Sequence, residues 1–199
     1  MKKLALALAL SLPALALAAP EAWTIDPAHS STGFAVKHLV ISTVRGQFTR
    51  TTGTVKLDPA DLARSSVEAT IDATSLDTRE PQRDGHLKSP DFLDVAKYPT
   101  ITFRSTRVTP AGPDRLAVTG DLTLHGVTRP VTLEVQASPE VKGMFGEMRR
   151  GFTAVGKIDR KEFGLTWNKA IEAGPVVGDE VTIALDVEAT KDQPKTAAK

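Results

Sequence analysis

The chain has 199 residues, 25 Lys and Arg against 24 Asp and Glu, and no Cys. Near-neutral charge gives no reason to favour nucleic acid or an anionic membrane surface, and the missing cysteines exclude disulfide staples and thiolate chemistry. Stability must come from an ordinary core, which about 180 residues supply in one domain.

Residues 1–19 read as a cleaved secretory signal peptide. Lys2 and Lys3 form a positive n-region, Leu4 to Leu17 an apolar stretch, and Ala16-Leu17-Ala18 a small-residue cleavage site. The stretch is too short and wrongly flanked for a membrane anchor. With no Cys to carry acyl chains, the expected product is a soluble exported protein and not a lipoprotein. Cleavage leaves 23 basic against 24 acidic residues, a formal charge of −1. Residues 20–190 are then one folded domain and 191–199 a polar, disordered tail.

From Trp23 the pattern is strand after strand. Trp23 to Asp26 is a short strand stopped by Pro27, and Ser31 to Leu39 alternates through Phe34, Val36 and His38. Val44 to Leu57 reads as one long polar run whose Gly46 and Gly53 suggest bends or bulges. Pro59 to Ala63 suggests a helical turn, and Ser66 to Ala73 alternates again. Glu80 to Tyr98 lacks a two-residue period. A helix is expected over Pro81 to Lys88, and a second short one after Ser89, whose N-cap chemistry is followed by Pro90. Strands return at Thr100 to Thr109, Gly151 to Asp159 and Glu180 to Thr190, with Arg160 to Asn168 as a connector.

The clearest architecture is Leu116 to Gln136. Leu116, Val118, Gly120, Leu122 and Leu124 alternate with small and polar residues, and Val131, Leu133 and Val135 resume the alternation after His125-Gly126. A period of two gives one dry and one wet face, so this is a β-hairpin turning at His125-Gly126, with Pro130 near the start of its second strand. Eight or nine strands of this kind argue for a sandwich or a barrel. Glu68, Asp72, Arg104, Glu134, Asp186 and Glu188 mark outward faces too charged for lipid, which argues against a membrane-spanning barrel.

Small residues are frequent on the inward faces: Ala69, Ala73, Ser105, Gly120, Ala154 and Gly156 share them with Ile71, Phe103, Leu122, Phe152 and Ile158. Two readings fit. The small residues leave a lumen for one slender ligand, or they receive large side chains from opposite strands.

Chemistry-bearing motifs are sparse. The four histidines, His29, His38, His86 and His125, have no zinc-ligand spacing, and no GxSxG elbow or phosphate-cradling loop is present. Neither a catalytic residue nor a metal ligand or cofactor is therefore expected. Arg83, Asp84 and His86 form a polar cluster that reads either as a headgroup contact or as a capped, ion-paired helix end.

Several blocks in order resemble one family. TIDPAHS (Thr24–Ser30), HL (His38–Leu39) with VRGQF (Val44–Phe48), RDGHLKSPDF (Arg83–Phe92), TGDLTLHGVTRPVTLEV (Thr119–Val135) and VGDEV (Val177–Val181) are similar to the YceI-like family. Leu93 departs from the family pattern, which often has a second Phe there. The resemblance implies an all-β, extended antiparallel lipocalin-like barrel of about eight strands with a short helical insert. It also implies a periplasmic protein whose lumen holds a polyisoprenoid lipid, of polyprenyl phosphate or quinone type; a fatty-acid derivative is the alternative ligand. Alternation and the matched blocks nominate Phe34, Val36, Phe48, Ile71, Phe92, Phe103, Leu122, Phe152 and Phe163 as inward residues and Trp167 as a rim residue. His38, Arg83 and His86 are nominated for the headgroup end. A homodimer and a membrane-protein partner stay open, as do a lipid-directed enzyme and a filled barrel acting only through protein contacts.

Overall fold

A computed structural model describes residues 19–171 and 174–192. Nearly all of the proposed signal peptide, and the tail beyond Asp192, lie outside the described residues. Strands β1 (Glu21–Ile25), β2 (Ser31–His38), β3 (Ser42–Phe48), β4 (Thr51–Leu57), β5 (Ser66–Asp72) and β6 (Leu76–Asp77) come first. One helix, α1 (Pro81–Lys88), follows, and then β7 (Thr100–Gly112), β8 (Arg115–Leu124), β9 (Val127–Ala137), β10 (Val141–Lys142), β11 (Met148–Asp159), β12 (Ala170–Ile171), β13 (Gly174–Pro175) and β14 (Val177–Lys191).

Eight strands close into an antiparallel barrel. They hydrogen-bond in the order β11, β9, β8, β7, β5, β4, β1, β14, and β14 returns to β11. Strand β2 continues along the edge of β14 where β1 stops: Ile25 faces Ala189 and Ser31 faces Asp186. The break between them is a 3-10 turn, Pro27–His29, capped by the Asp26 carboxylate on the Ala28 N–H. Strands β3 and β6 extend this wall, so the barrel is longer on one side.

The β8–β9 hairpin forms as expected from Arg115 opposite Gln136 to Leu124 opposite Val127. Val118, Leu122, Leu124, Val131 and Leu133 are buried. Its turn residues His125 and Gly126 have φ of 52° and 74°, the left-handed pair that a two-residue hairpin needs. Tyr98 lies against both: its ring stacks edge-on to His125 at 4.8 Å and fills the space where a side chain on Gly126 would stand. Pro130 sits three residues inside β9, in the part of the strand that β11 does not pair, so its missing N–H costs the ladder little.

Four local expectations are corrected. The run from Val44 to Leu57 is two strands, broken at Thr49-Arg50, because β3 pairs with β2 whereas β4 pairs with β1. Gly46 and Gly53 are sites of close approach and not bends. A Cβ on Gly46 would lie 2.5 Å from the Phe34 ring, and one on Gly53 would lie 2.3 Å from the Glu68 carbonyl oxygen. Residues 90–97 form turns and no second helix, with the Ser89 hydroxyl donating back to the His86 carbonyl and closing α1. The last strand runs to Lys191, one residue into the stretch assigned to the tail.

An ion-pair network ties β1, β11 and β14 on the barrel's outer surface. Arg149 bridges Asp26 at 3.0 Å, Glu147 at 2.7 Å, and Glu188. The His29 imidazole, with the Ala28 N–H and Arg149, holds the Asp26 carboxyl below the usual carboxylate range. Arg149 does the same for Glu147. Both depressed acids contribute stability that is present above their unfolded pKa, about 4, and lost as pH falls through the folded values. Urea-denaturation midpoints should therefore drop from neutral pH to pH ~3, and Arg149→Gln should flatten that drop. Some dependence should remain from Asp72, which the Thr74 hydroxyl and Arg50 hold down independently.

Candidate functional site

The barrel encloses an elongated apolar cavity of about 270 Å³. Its walls come from every barrel strand but also from β2, β3 and the segment after α1. Eight of the nominated residues line it: Phe34, Val36, Phe48, Ile71, Phe92, Phe103, Leu122 and Phe152. The largest omission is on β14, where Val181, Ile183, Leu185 and Val187 face the lumen in strict alternation. That period of two was present in the sequence and would have named them.

The two readings of the small inward residues each hold in part. Phe103 lies over Gly120 and Leu133 over Gly156, with Cβ positions 2.5 and 2.6 Å from those side chains. Those gaps are filled from the neighbouring strand. Ala69 and Ala154 instead border open space.

Apart from the exposed Lys56, the wall's few polar groups are occupied elsewhere, as buried polar groups must be. Thr32 and Thr51 bond each other across the wall at 2.8 Å, and Ser65 accepts the Asp58 N–H at 2.9 Å. Arg160, only 3% exposed, spends its guanidinium on the structure around it. It donates to the carbonyls of Gly178 at 2.9 Å and Trp167 at 2.9 Å, to Leu165, and to the Asp179 carboxylate at 3.1 Å. This one side chain pins the connector after β11 to the start of β14.

The other five nominated residues do not reach the lumen. Phe163 is fully buried at the end of the 3-10 turn after β11, where it packs against the core and does not line the lumen. His38 ends β2 opposite Val177 and, unlike that partner, does not line the cavity. Arg83 turns away, because its Nε and Nη2 donate to the hydroxyl and carbonyl of Thr78 at 2.8 Å each. Glu80 caps the same helix on the Gln82 and Arg83 N–H groups. Arg83 therefore has the role of a helix-end brace. His86 and Trp167 form with Phe92 a ring cluster whose centroids lie 4.8–5.1 Å apart. His86 Nε2 is held by Asp91 at 2.9 Å. Since Phe92 and Leu87 line the cavity, this cluster is the outer layer of the cover that α1 and its following turns place over the lumen.

Among the described residues, Asp26, His29 and Glu188 bring three possible metal-ligand atoms within 4.8 Å of one another. The Arg149 guanidinium already pairs with both carboxylates, so that position holds a cation from the chain itself. No helix among the described residues is long and apolar enough to cross a membrane.

Ala69→Phe tests the cavity directly. Into open space the ring should change unfolding free energy by less than ~1 kcal/mol, whereas into a filled core it should cost ~1–3 kcal/mol. Denaturant titration of the two chains measures the difference.

Residues 23–189 match the family model described as a YceI-like domain. The chain is 43% identical over 160 residues to protein YceI of Escherichia coli O157:H7, covering 80% of this chain and 81% of that protein. It is 37% identical over 188 residues to a UPF0312 protein of Vibrio parahaemolyticus, covering 94% and 95%. Among solved structures, Burkholderia cenocepacia BcnA aligns with a TM-score of 0.75 at 30% identity, covering 83% of this chain and 99% of that one. A polyisoprenoid binding domain from Saccharophagus degradans aligns with a TM-score of 0.62 at 16% identity, covering 85% and 98%; at that identity the likeness is one of fold.

Proposed function

The chain belongs to the YceI-like family, whose barrel is that of a binding protein, and on that premise we propose that it binds a long-chain polyisoprenoid lipid in its lumen, in the periplasm, without chemical turnover. The observation that carries this reading is the cavity, about 270 Å³ in volume and walled by apolar side chains whose few buried polar neighbours, Thr32, Thr51 and Arg160, are already satisfied. Such a wall rewards apolar length over headgroup chemistry, because each buried CH₂ contributes about 0.8 kcal/mol. A polyprenyl phosphate or an isoprenoid quinone supplies that length with one polar end. The polyisoprenoid binding domain of Saccharophagus degradans, which shares this fold, supports the same ligand class. The volume lies just under the ~300–1,000 Å³ of ordinary small-molecule sites. A long tail therefore threads the lumen in extended form and either continues past the cover or displaces Phe92 and Trp167.

Export by the N-terminal segment, storage or transport of the lipid, and protection of it from stress follow from this reading as proposals. The test is to express the chain with its own N-terminus and recover it from the periplasm without detergent. Its mass is then compared under native and denaturing conditions, and the released molecule is identified after solvent extraction. A discrete isoprenoid near one per chain is the expected result, and Ala69→Phe should lower its occupancy at least tenfold. A fatty-acid-like species would redirect the ligand class. A bare mass that persists after polyprenyl lipids and quinones are offered would overturn the proposal.

A further inference from the structure

The tip of the β2–β3 hairpin displays apolar side chains to solvent. Val40 is 63% and Ile41 84% exposed, and Ile171 on the neighbouring β12–β13 hairpin is 47% exposed. Scattered exposed apolar residues are ordinary, but several in one place call for an explanation. Leu39 and Val40 have φ of 52° and 65°, a left-handed conformation that is a genuine outlier for a β-branched residue. A turn free of other demands would use Asn or Gly there.

The two hairpins share one edge, and that edge adjoins the lumen. The Leu39 N–H donates to the Val176 carbonyl at 2.9 Å, and the Val176 N–H to the Lys169 carbonyl at 3.0 Å. The next residue, Val177, lines the cavity together with Val36. Lys37, Arg45 and Lys169 border the tip, all exposed and without an ion pair among the described residues. The acids at the start of β14 are already engaged: Asp179 by Arg160 and Lys161, and Glu180 by Lys157. Three cations against one acid, Glu172 in the sequence between Ile171 and Gly174, leave a local excess of cations that near-neutral overall charge conceals.

We propose that this tip docks the protein on a bilayer containing anionic lipid. Val40, Ile41 and Ile171 enter the apolar boundary, and Lys37, Arg45 and Lys169 meet headgroup phosphates. The inference rests on the lipid-binding reading, since it places the lumen's end at the membrane from which the ligand comes. Contact with a second copy is disfavoured, because a two-fold interface would set the same cations against themselves. A few side chains give reversible docking, compatible with an exported soluble protein.

Met144 and Phe145, 94% and 92% exposed, provide the control. They occupy the β10–β11 turn, beside the C-terminal end of β14. Strand β14 is 15 residues long, so this turn stands roughly 45 Å from the tip at about 3.3 Å per residue. At that end the fully buried Trp23 fills the interior.

Periplasm-recovered protein is sedimented with vesicles of phosphatidylethanolamine and phosphatidylglycerol, and with pure phosphatidylcholine vesicles. Binding to the anionic vesicles is expected, weakening with salt. Val40→Asn with Ile41→Ser, which suits the left-handed backbone, should lower it about tenfold, and Lys37→Gln with Arg45→Gln should remove the preference for phosphatidylglycerol. Met144→Ser with Phe145→Ser should leave it unchanged. Absent binding, binding indifferent to the tip variants, or equal loss in the control would overturn the proposal, as would a dimer in solution that the tip variants dissociate. Native mass measured on the same samples keeps the two readings apart: tip variants should retain full lipid occupancy, whereas a bare wild-type mass would sink the lumen reading while vesicle binding still decided the tip.

Discussion

Closure of the sheet between β11 and β14 is the constraint on which the remaining structure depends. Their register runs unbroken from Arg149 opposite Thr190 to Asp159 opposite Glu180, and it joins the two ends of what would otherwise be an open, curled sheet. An open edge at this position would offer unpaired N–H and C=O groups to any passing strand. Closed, the sheet has an inside, and the alternation in each strand acquires one meaning. Strand β14 is long because it works on both edges. It meets β11 along one side, and β1 and then β2 along the other.

Arg160 shows how closure and the dry lumen are linked. A buried guanidinium is costly unless its donors are satisfied, and here the acceptors are carbonyls and a carboxylate from the two segments that must come together at the end of the barrel. The same side chain borders the cavity yet offers it no free donor. Thr32 and Thr51 solve the same problem by pairing with each other. A lumen built this way presents apolar surface and little that a polar group could bond.

The inner-face positions were legible where periodicity was strong. Phe103, Leu122 and Phe152 lie where alternation puts them, and the left-handed His125-Gly126 turn follows from its residue types. Legibility failed where a residue's role is set by a distant partner. Gly46 and Gly53 look like bends in the sequence, but their lack of a Cβ admits the Phe34 ring and the Glu68 carbonyl. Arg83 and His86 read in the sequence either as headgroup contacts or as a capped helix end, and only the structure supplies their partners, Thr78 and Asp91. Phe163 carries the same apolar character as the lining residues, and only its place in the turn after β11 assigns it to filled core.

The sequence by itself determined an all-β chain with outward charge and inward apolar residues, because a two-residue period is a local property of the backbone. Matched blocks then tied that pattern to one family. Only the tertiary structure decided which strands meet, since pairing joins segments from opposite ends of the domain, as Trp23 joins Lys191. It also decided that some small inward residues are covered by side chains of the neighbouring strand while Ala69 and Ala154 border a void. Volume is left over only after every side chain has found its neighbour, and no local pattern of residues contains that sum.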